Sequence, residues 1–215
     1  MSAVIVIPAR YASQRFPGKP LAELRGASGV AKSLIRRSWD AAMAVNGVDR
    51  VIVATDDDRI AEAAEAFGAE VAMTSTAARN GTERVAEVAR GLKADVIVNL
   101  QGDAPLTPPH YVEALLAEMA RDGEVRMATP VLETPPEHLA ALIEDRRAGR
   151  VGATTAVIAR SGDALYFSKE VLPHQDGATG AVPVWHHVGV YAYRPDALAA
   201  YSDLPQGPLE TREGL

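Results

Sequence analysis

A chain of 215 residues with a net charge of −6 and an apolar fraction of 47% is long enough for one sizeable α/β core. It has no cysteine, which excludes disulfides and thiolate metal sites, and its acidic balance argues against a general nucleic-acid or membrane-surface binder. The first apolar run is too short to span a bilayer and lacks the basic start of a secretory leader, so the chain reads as cytoplasmic.

That first run, Ala3-Val4-Ile5-Val6-Ile7, is apolar on both faces, the pattern of a buried parallel strand. It breaks at Pro8 into a basic loop that carries Arg10, Arg15 and Lys19, with Gly18, Pro17 and Pro20 shaping the backbone. An open α/β sheet places its ligand crevice at such a strand end. Three cations gathered there repel one another unless an anion relieves them, so the loop points to a polyanion. It fits neither the Gly-x-x-x-x-Gly-Lys-Ser/Thr nor the Gly-x-Gly-x-x-Gly pattern, which shifts phosphate binding from a glycine nest to side chains.

Next, Lys32 to Val45 reads as a helix with Leu34, Ile35, Trp39, Ala42 and Met43 toward the core, stopped at Asn46-Gly47. Val51 to Ala54 is a second buried strand and ends at Thr55-Asp56-Asp57-Asp58. A helix with Ile60, Ala64 and Phe67 follows, then a short strand at 70–73. Asn80 to Arg84 leads into a helix with Val85, Val88, Ala89 and Leu92 on one face, and Thr82 is a plausible N-cap. Val96 to Leu100 is a central strand, and Pro108-Pro109 opens a helix with Val112, Leu115, Leu116 and Met119 inward. This alternation predicts a Rossmann-like, doubly wound, mostly parallel sheet. From about Glu124 the pattern changes to strands at 127–132, 154–158, 164–168 and 188–193, with a glycine- and proline-rich loop at 173–183. Residues 124–194 read as a small mixed subdomain that completes a single domain spanning 1–215.

Asp103, just past the central strand in Gly-Asp-Ala-Pro, is placed either to hold Mg²⁺ against phosphates or simply to form a turn. Asp56, Asp57 and Asp58 are better read as a helix start than as a metal cluster. Gly81 allows close backbone approach to a flat ring, and Arg84 either braces that site or pairs with a neighbouring carboxylate. His186 and His187 are adjacent on a strand and point to opposite faces, so they cannot easily share one metal. Glu210 and Glu213 share one face of a helical turn and either bind hydroxyls or form a solvated first turn. No serine with an adjacent base suggests covalent catalysis.

The segment IPARYASQRFPGKPLAEL resembles the nucleotidyltransferases that activate sugars and sugar acids, most closely the 3-deoxy-manno-octulosonate cytidylyltransferases. Gly-Thr-Glu-Arg at 81–84, Gly-Asp-x-Pro at 102–105, His-x-Gly-x-Tyr-Ala-Tyr-Arg at 187–194 and Pro-Leu-Glu-x-x-Glu at 208–213 match independently and in order. The resemblance implies transfer of CMP from CTP to a 3-deoxy-2-keto sugar acid (Kdo), with CMP-Kdo made for lipopolysaccharide synthesis. It implies that Arg10, Ser13, Arg15 and Lys19 hold the triphosphate and that Asn80, Gly81 and Thr82 lie beside the base. Gln101, Lys169, His187, Tyr191, Glu210 and Glu213 would hold the sugar acid, and Mg²⁺ would sit on Asp103, with Arg10, Lys19 and Asp103 as the catalytic set. A homodimer is implied as well, with 124–194 supplying sugar-acid-binding and dimer-forming elements.

Three positions depart from the pattern. Asn80 replaces a serine, Ala104 a larger residue, and Lys169 stands where the family carries an arginine. A lysine attracts a carboxylate as a point charge but lacks the bidentate fork, which leaves an amino-Kdo or sialic-type acceptor open. The chain stops inside the last motif, and the family pattern continues into a further strand with a second metal-binding aspartate. A non-catalytic nucleotide-binding module is the alternative of a different class.

Overall fold

Both faces of the opening run are apolar, and both are covered: β1 (Ala3–Ala9) is buried along its whole length. The computed structural model describes residues 1–12, 16–175 and 182–214, so Ser13 and Arg15 lie outside the described residues. A 3-10 turn at Lys19–Leu21 precedes a short hairpin, β2 (Glu23–Arg25) and β3 (Ala31–Ser33). Ser33 then caps α1 (Leu34–Met43), accepting from the Arg36 N–H. β4 (Arg50–Thr55), α2 (Asp58–Ala66), β5 (Glu70–Met73), α3 (Gly81–Ala89), β6 (Val96–Leu100) and α4 (Pro109–Arg121) continue the alternation. The remainder comprises β7 (Met127–Ala128), β8 (Val131–Glu133), α5 (Pro136–Arg147), β9 (Thr155–Ile158), β10 (Ala164–Ser168), β11 (Trp185–His187), β12 (Val190–Tyr193), α6 (Pro195–Tyr201) and α7 (Pro208–Glu213).

The chain divides into two compact units, one of Met1–Ala128 with Gly189–Leu204 and one of Thr129–Val188 with Pro205–Leu215. In the first, a six-stranded sheet runs in the order β5-β4-β1-β6-β12-β7. β5, β4, β1 and β6 are parallel, while β12 is antiparallel to both β6 and β7. From β1 the chain winds outward to β4 and β5, then returns to β6 on the other side of β1. The order reverses between β1 and β6, and crevices of open α/β sheets form at such a switch point. The register Val4↔Ile97, Ile5↔Val98 and Val6↔Asn99 makes Pro8–Arg10 and Gln101–Asp103 emerge side by side.

Side-chain alternation gives the sheet two apolar faces. Val4, Val6, Ile52, Ala54 and Ile97 pack with Val85, Ala86 and Ala89 of α3 and Leu198 of α6. Ile5 and Ile7 point the other way and are equally inaccessible, with α1 packed against β1. Each of the valines, leucines and isoleucines among them contributes about 1.5–3 kcal/mol when fully buried, and this holds the two strand ends in place.

The second unit is an antiparallel sheet in the order β10-β9-β11-β8, with α5 and α7. Glu213 fixes α7 there by accepting from Tyr166 Oη at 2.8 Å, Ser168 Oγ at 2.7 Å and the Lys169 N–H at 2.8 Å.

Several elements differ from the sequence expectation. The expected strand 127–132 is two strands in different sheets, because Pro130 has no N–H to continue a ladder. Its partner segment 188–193 starts later, at Val190, and His186 and His187 lie on the separate β11. The Thr129 hydroxyl donates to the Val188 carbonyl at 3.1 Å, which satisfies that carbonyl where neither strand pairs it. Helix α5 was not expected: it buries no residue, so its apolar periodicity is weak, and only Pro135-Pro136 marked its start. Lys32 belongs to β3, and Met43 at the end of α1 is exposed. Asn80, not Thr82, caps α3.

At Gly102 an added Cβ would lie 2.7 Å from the Pro8 carbonyl oxygen, and the Gly102 carbonyl already accepts from the buried Ser38 hydroxyl at 2.9 Å. Neither backbone can yield cheaply. Gly102→Ala is expected to lose about 1–3 kcal/mol in urea denaturation. Gly123→Ala, where the new Cβ meets nothing within 4 Å, should stay within about 0.5 kcal/mol.

Candidate active site

A cleft of about 500 Å³ opens at the switch point of the first unit. Its walls are the strand exit Pro8–Arg10, Phe16, Lys19 and Pro20, the segment Ala78–Gly81 with Arg84, and Gln101–Asp103. Each wall has a local cause. In the basic loop, Gly18 adopts φ 71°, the left-handed region that favours glycine, and donates its N–H to the Tyr11 carbonyl at 2.9 Å. The Tyr11 ring is packed between Gly18 and Arg59, whose guanidinium carbon stands 3.3 Å from the ring centroid. Asp57 in turn holds Arg59 at 2.6 Å and caps α2. The Arg59 hydrogen bond keeps the Asp57 carboxyl below the usual carboxylate range.

The Gln101 carbonyl accepts from the Ala104 N–H at 3.0 Å, so Gln101–Ala104 is a hydrogen-bonded turn with Asp103 at its third position. Asp103 thus sits in a turn, and the turn presents its carboxylate to the cleft. Lys19 Nζ lies 2.6 Å from Asp103 Oδ2 across the cleft. Arg10 is exposed at the end of β1 and makes no ion pair among the described residues.

On the third wall, Asn80 Oδ1 accepts from the Glu83 N–H at 2.9 Å and its Nδ2 donates to Tyr201 Oη at 3.2 Å. Gly81 is bare where a Cβ would stand 3.1 Å from both Pro8 Cγ and Gln101 Oε1. Arg84 is buried, with Nη2 2.9 Å from Asp56 Oδ2 and further hydrogen bonds to Thr74 and the Ser75 carbonyl. It braces the wall by pairing with a carboxylate. Asp56 and Asp57 are thus both committed to structural partners. No group of three or more His, Asp or Glu side chains able to hold a metal exists among the described residues.

Arg10, Lys19, Asn80, Gly81, Gln101 and Asp103 therefore share one cleft. Thr82 and Tyr191 belong to the same unit but do not line it. His187, Lys169, Glu210 and Glu213 belong to the second unit. There the His187 Nε2 lies 3.0 Å from Thr129 Oγ1; that hydroxyl donates to Val188, which assigns the ring proton to Nε2. Burial, reinforced by His186, holds the His187 imidazole below the usual histidine range. Lys169 Nζ donates to the Gly214 carbonyl at 3.0 Å, and Glu210 accepts from the Gly207 N–H at the start of its own helix. Phe16, Arg79 and the Tyr11–Arg59 stack were missing from the sequence reading. An exposed phenylalanine inside a basic loop was a usable signal for the first, whereas nothing local links residues 11 and 59.

Residues 4–215 match the family model described as cytidylyltransferase. The chain is 44% identical to a 3-deoxy-manno-octulosonate cytidylyltransferase of Maricaulis maris, covering all of this chain and 82% of that protein. It is 41% identical to the enzyme of that name from Syntrophotalea carbinolica, with 100% and 84% covered. A solved structure of CMP:2-keto-3-deoxy-manno-octonic acid synthetase complexed with CTP superposes with a TM-score of 0.88 at 40% identity, over 100% of this chain and 83% of that one.

Two outcomes follow from this geometry. Asp56→Asn leaves the buried Arg84 without its counter-charge and is expected to cost about 3 kcal/mol in urea denaturation, with the apolar pair Asp56→Leu/Arg84→Met recovering part of the loss. Glu213 is held below the usual carboxylate range, first by the Lys169 N–H and then by Ser168 and Tyr166. A carboxyl lowered in the folded state stabilises above its unfolded pKa, and that contribution is lost as pH falls through the folded value. Protection of the α7 amides, relative to their intrinsic exchange rates at each pH, should therefore fall selectively in acid, and Glu213→Gln should show the low protection already at neutral pH.

Proposed function

This chain belongs to the cytidylyltransferase family, and from that premise we propose that it transfers CMP from CTP to Kdo, giving CMP-Kdo and pyrophosphate for lipopolysaccharide assembly. The observation that carries the reading is the cleft at the switch point, where Arg10 and Lys19 share the walls with Asp103, Gly81 and Gln101. The anomeric 2-hydroxyl of the sugar acid attacks the α-phosphorus of CTP, and the bond to the β-phosphate oxygen breaks. Arg10, Arg15 and Lys19 take up the negative charge of the triphosphate and of the leaving pyrophosphate, with Ser13 adding a loop hydroxyl. Asn80 and Gly81 form the cleft edge for the base, with Thr82 behind them on Asn99. Positioning and electrostatics supply the rate enhancement, with no covalent intermediate.

Asp103 fits a hard cation. It is an exposed carboxylate at the cleft mouth, and Mg²⁺ is commonly held by one or two carboxylates together with substrate phosphates and waters. Mg²⁺ held there would supply Lewis-acid polarisation of the phosphate. Lys19 pairs with that carboxylate, and phosphate oxygens offer Lys19 an alternative partner. Lysine and cation therefore compete for one group. His187, uncharged at neutral pH, serves the sugar acid as a hydrogen-bonding group. Gln101, Lys169, Tyr191, Glu210 and Glu213 complete the proposed acceptor set, in a cytoplasmic homodimer.

The decisive assay is pyrophosphate release with Mg²⁺, comparing CTP with UTP, ATP and GTP, with and without Kdo. Release that requires both CTP and Kdo is expected. Release with another sugar acid in preference to Kdo would reassign the acceptor, and CTP binding without release would point to a non-catalytic module. Asp103→Asn should lower kcat by about a hundredfold or more while CTP binding changes far less; unchanged turnover would remove the metal assignment. Lys19→Ala should weaken CTP binding, yet raise the affinity of the nucleotide-free protein for Mn²⁺ by up to about fivefold, since an exposed pair is worth at most about 1 kcal/mol.

A further inference from the structure

We propose that Asn99 is a positioning residue: from beneath the cleft it sets the direction of the Gln101 amide, and through it the grip on the acceptor. The inference rests on the reading that Gln101 touches the sugar acid.

Strand β6 is fully buried and apolar except for Asn99, which has no exposed surface. An asparagine is poorly suited to a central strand and is costly to bury without partners. Here it has two. Its Oδ1 accepts from Gln101 Nε2 at 3.0 Å, and its Nδ2 donates to Thr82 Oγ1 at 3.3 Å. Asn99 and Gln101 are two residues apart and point to the same face of the sheet.

In this arrangement both amides are matched: Asn99 gives its nitrogen to the Thr82 hydroxyl and its oxygen to Gln101. Gln101 must answer with an N–H, which turns its Oε1 toward Gly81, 3.1 Å from where a Cβ there would lie. Gln101 and Gly81 both line the cleft. The wall therefore presents a fixed acceptor, suited to a hydroxyl of a polyhydroxylated substrate. A glutamine just past a strand end would otherwise sample several rotamers, and tethering one end of its amide removes that freedom before the substrate arrives.

A double-mutant cycle tests this, using pyrophosphate release to obtain both KM values and calorimetry for the CTP Kd. Gln101→Ala is expected to raise the KM for Kdo about tenfold, and Asn99→Ala about three- to tenfold, the range of one lost hydrogen bond. The CTP Kd should stay within about twofold, and Asn99→Ala should add nothing further in the Gln101→Ala background. If Asn99→Ala multiplies the loss equally in both backgrounds, or acts on CTP instead, Asn99 has a general structural role and the inference fails while the Gln101 contact stands. If Gln101→Ala leaves the Kdo KM unchanged, the Gln101 contact is wrong and the inference falls with it. Asn99→Leu, close in volume, carries the same cycle should Asn99→Ala fold poorly.

Discussion

The parallel pairing of β1 with β6 is the contact on which the rest of the first unit depends. It joins two strands that are far apart in sequence and adjacent at the point where the sheet reverses its order. Because the pair is buried on both faces, a one-residue slip would swap the side chains packed on the two sides of the sheet, and neither close-packed layer fits the other's set. That register brings Pro8 against Gly102 so closely that only a residue without a Cβ fits, and the Ser38 hydroxyl holds the Gly102 carbonyl from below. The basic loop and the Asp103 turn are what emerges from this seam.

Charge is divided between structure and site by burial. Arg84 and Asp56 form a pair with the arginine fully enclosed, and Arg59 is committed to Asp57 and the Tyr11 ring. A buried pair cannot be opened cheaply, because either partner left alone keeps its desolvation cost. Lys19 and Asp103 are both half exposed, and exposed pairs are worth little. Such a pair can exchange partners at little cost. A chain of net charge −6 thus keeps a local basic loop whose Lys19 can be released from its pair at little cost.

The regular alternation of the first half was legible because each element carried its own complete signal. Glu70–Met73 falls at its expected bounds, and Val112, Leu115, Leu116 and Met119 form the buried stripe of α4. Asp57 caps α2 as its type and position suggested. The choice between Asn80 and Thr82 was not legible, since both side chains can cap a helix and only the local backbone decides which N–H is in reach. Helix α5 was hidden for the opposite reason: it buries nothing, so it leaves no apolar period to read. Around residues 127–133 and 185–193, apolar composition marked strands correctly but could not say that each segment serves two sheets.

By itself, then, the sequence determined the elements that carry their own periodicity, the basic loop at the first strand end, and the residue types able to bind phosphate and a hard cation. These are local properties, set by side-chain chemistry within a few residues. Only the tertiary structure decided which of those residues meet: Lys19 with Asp103, Arg84 with Asp56, Arg59 with Tyr11, and Asn99 with Gln101 and Thr82. Most of these pairings cross from one strand or loop to another. They depend on sheet order and register, which arise from the burial of the whole apolar set at once and are written in no single segment.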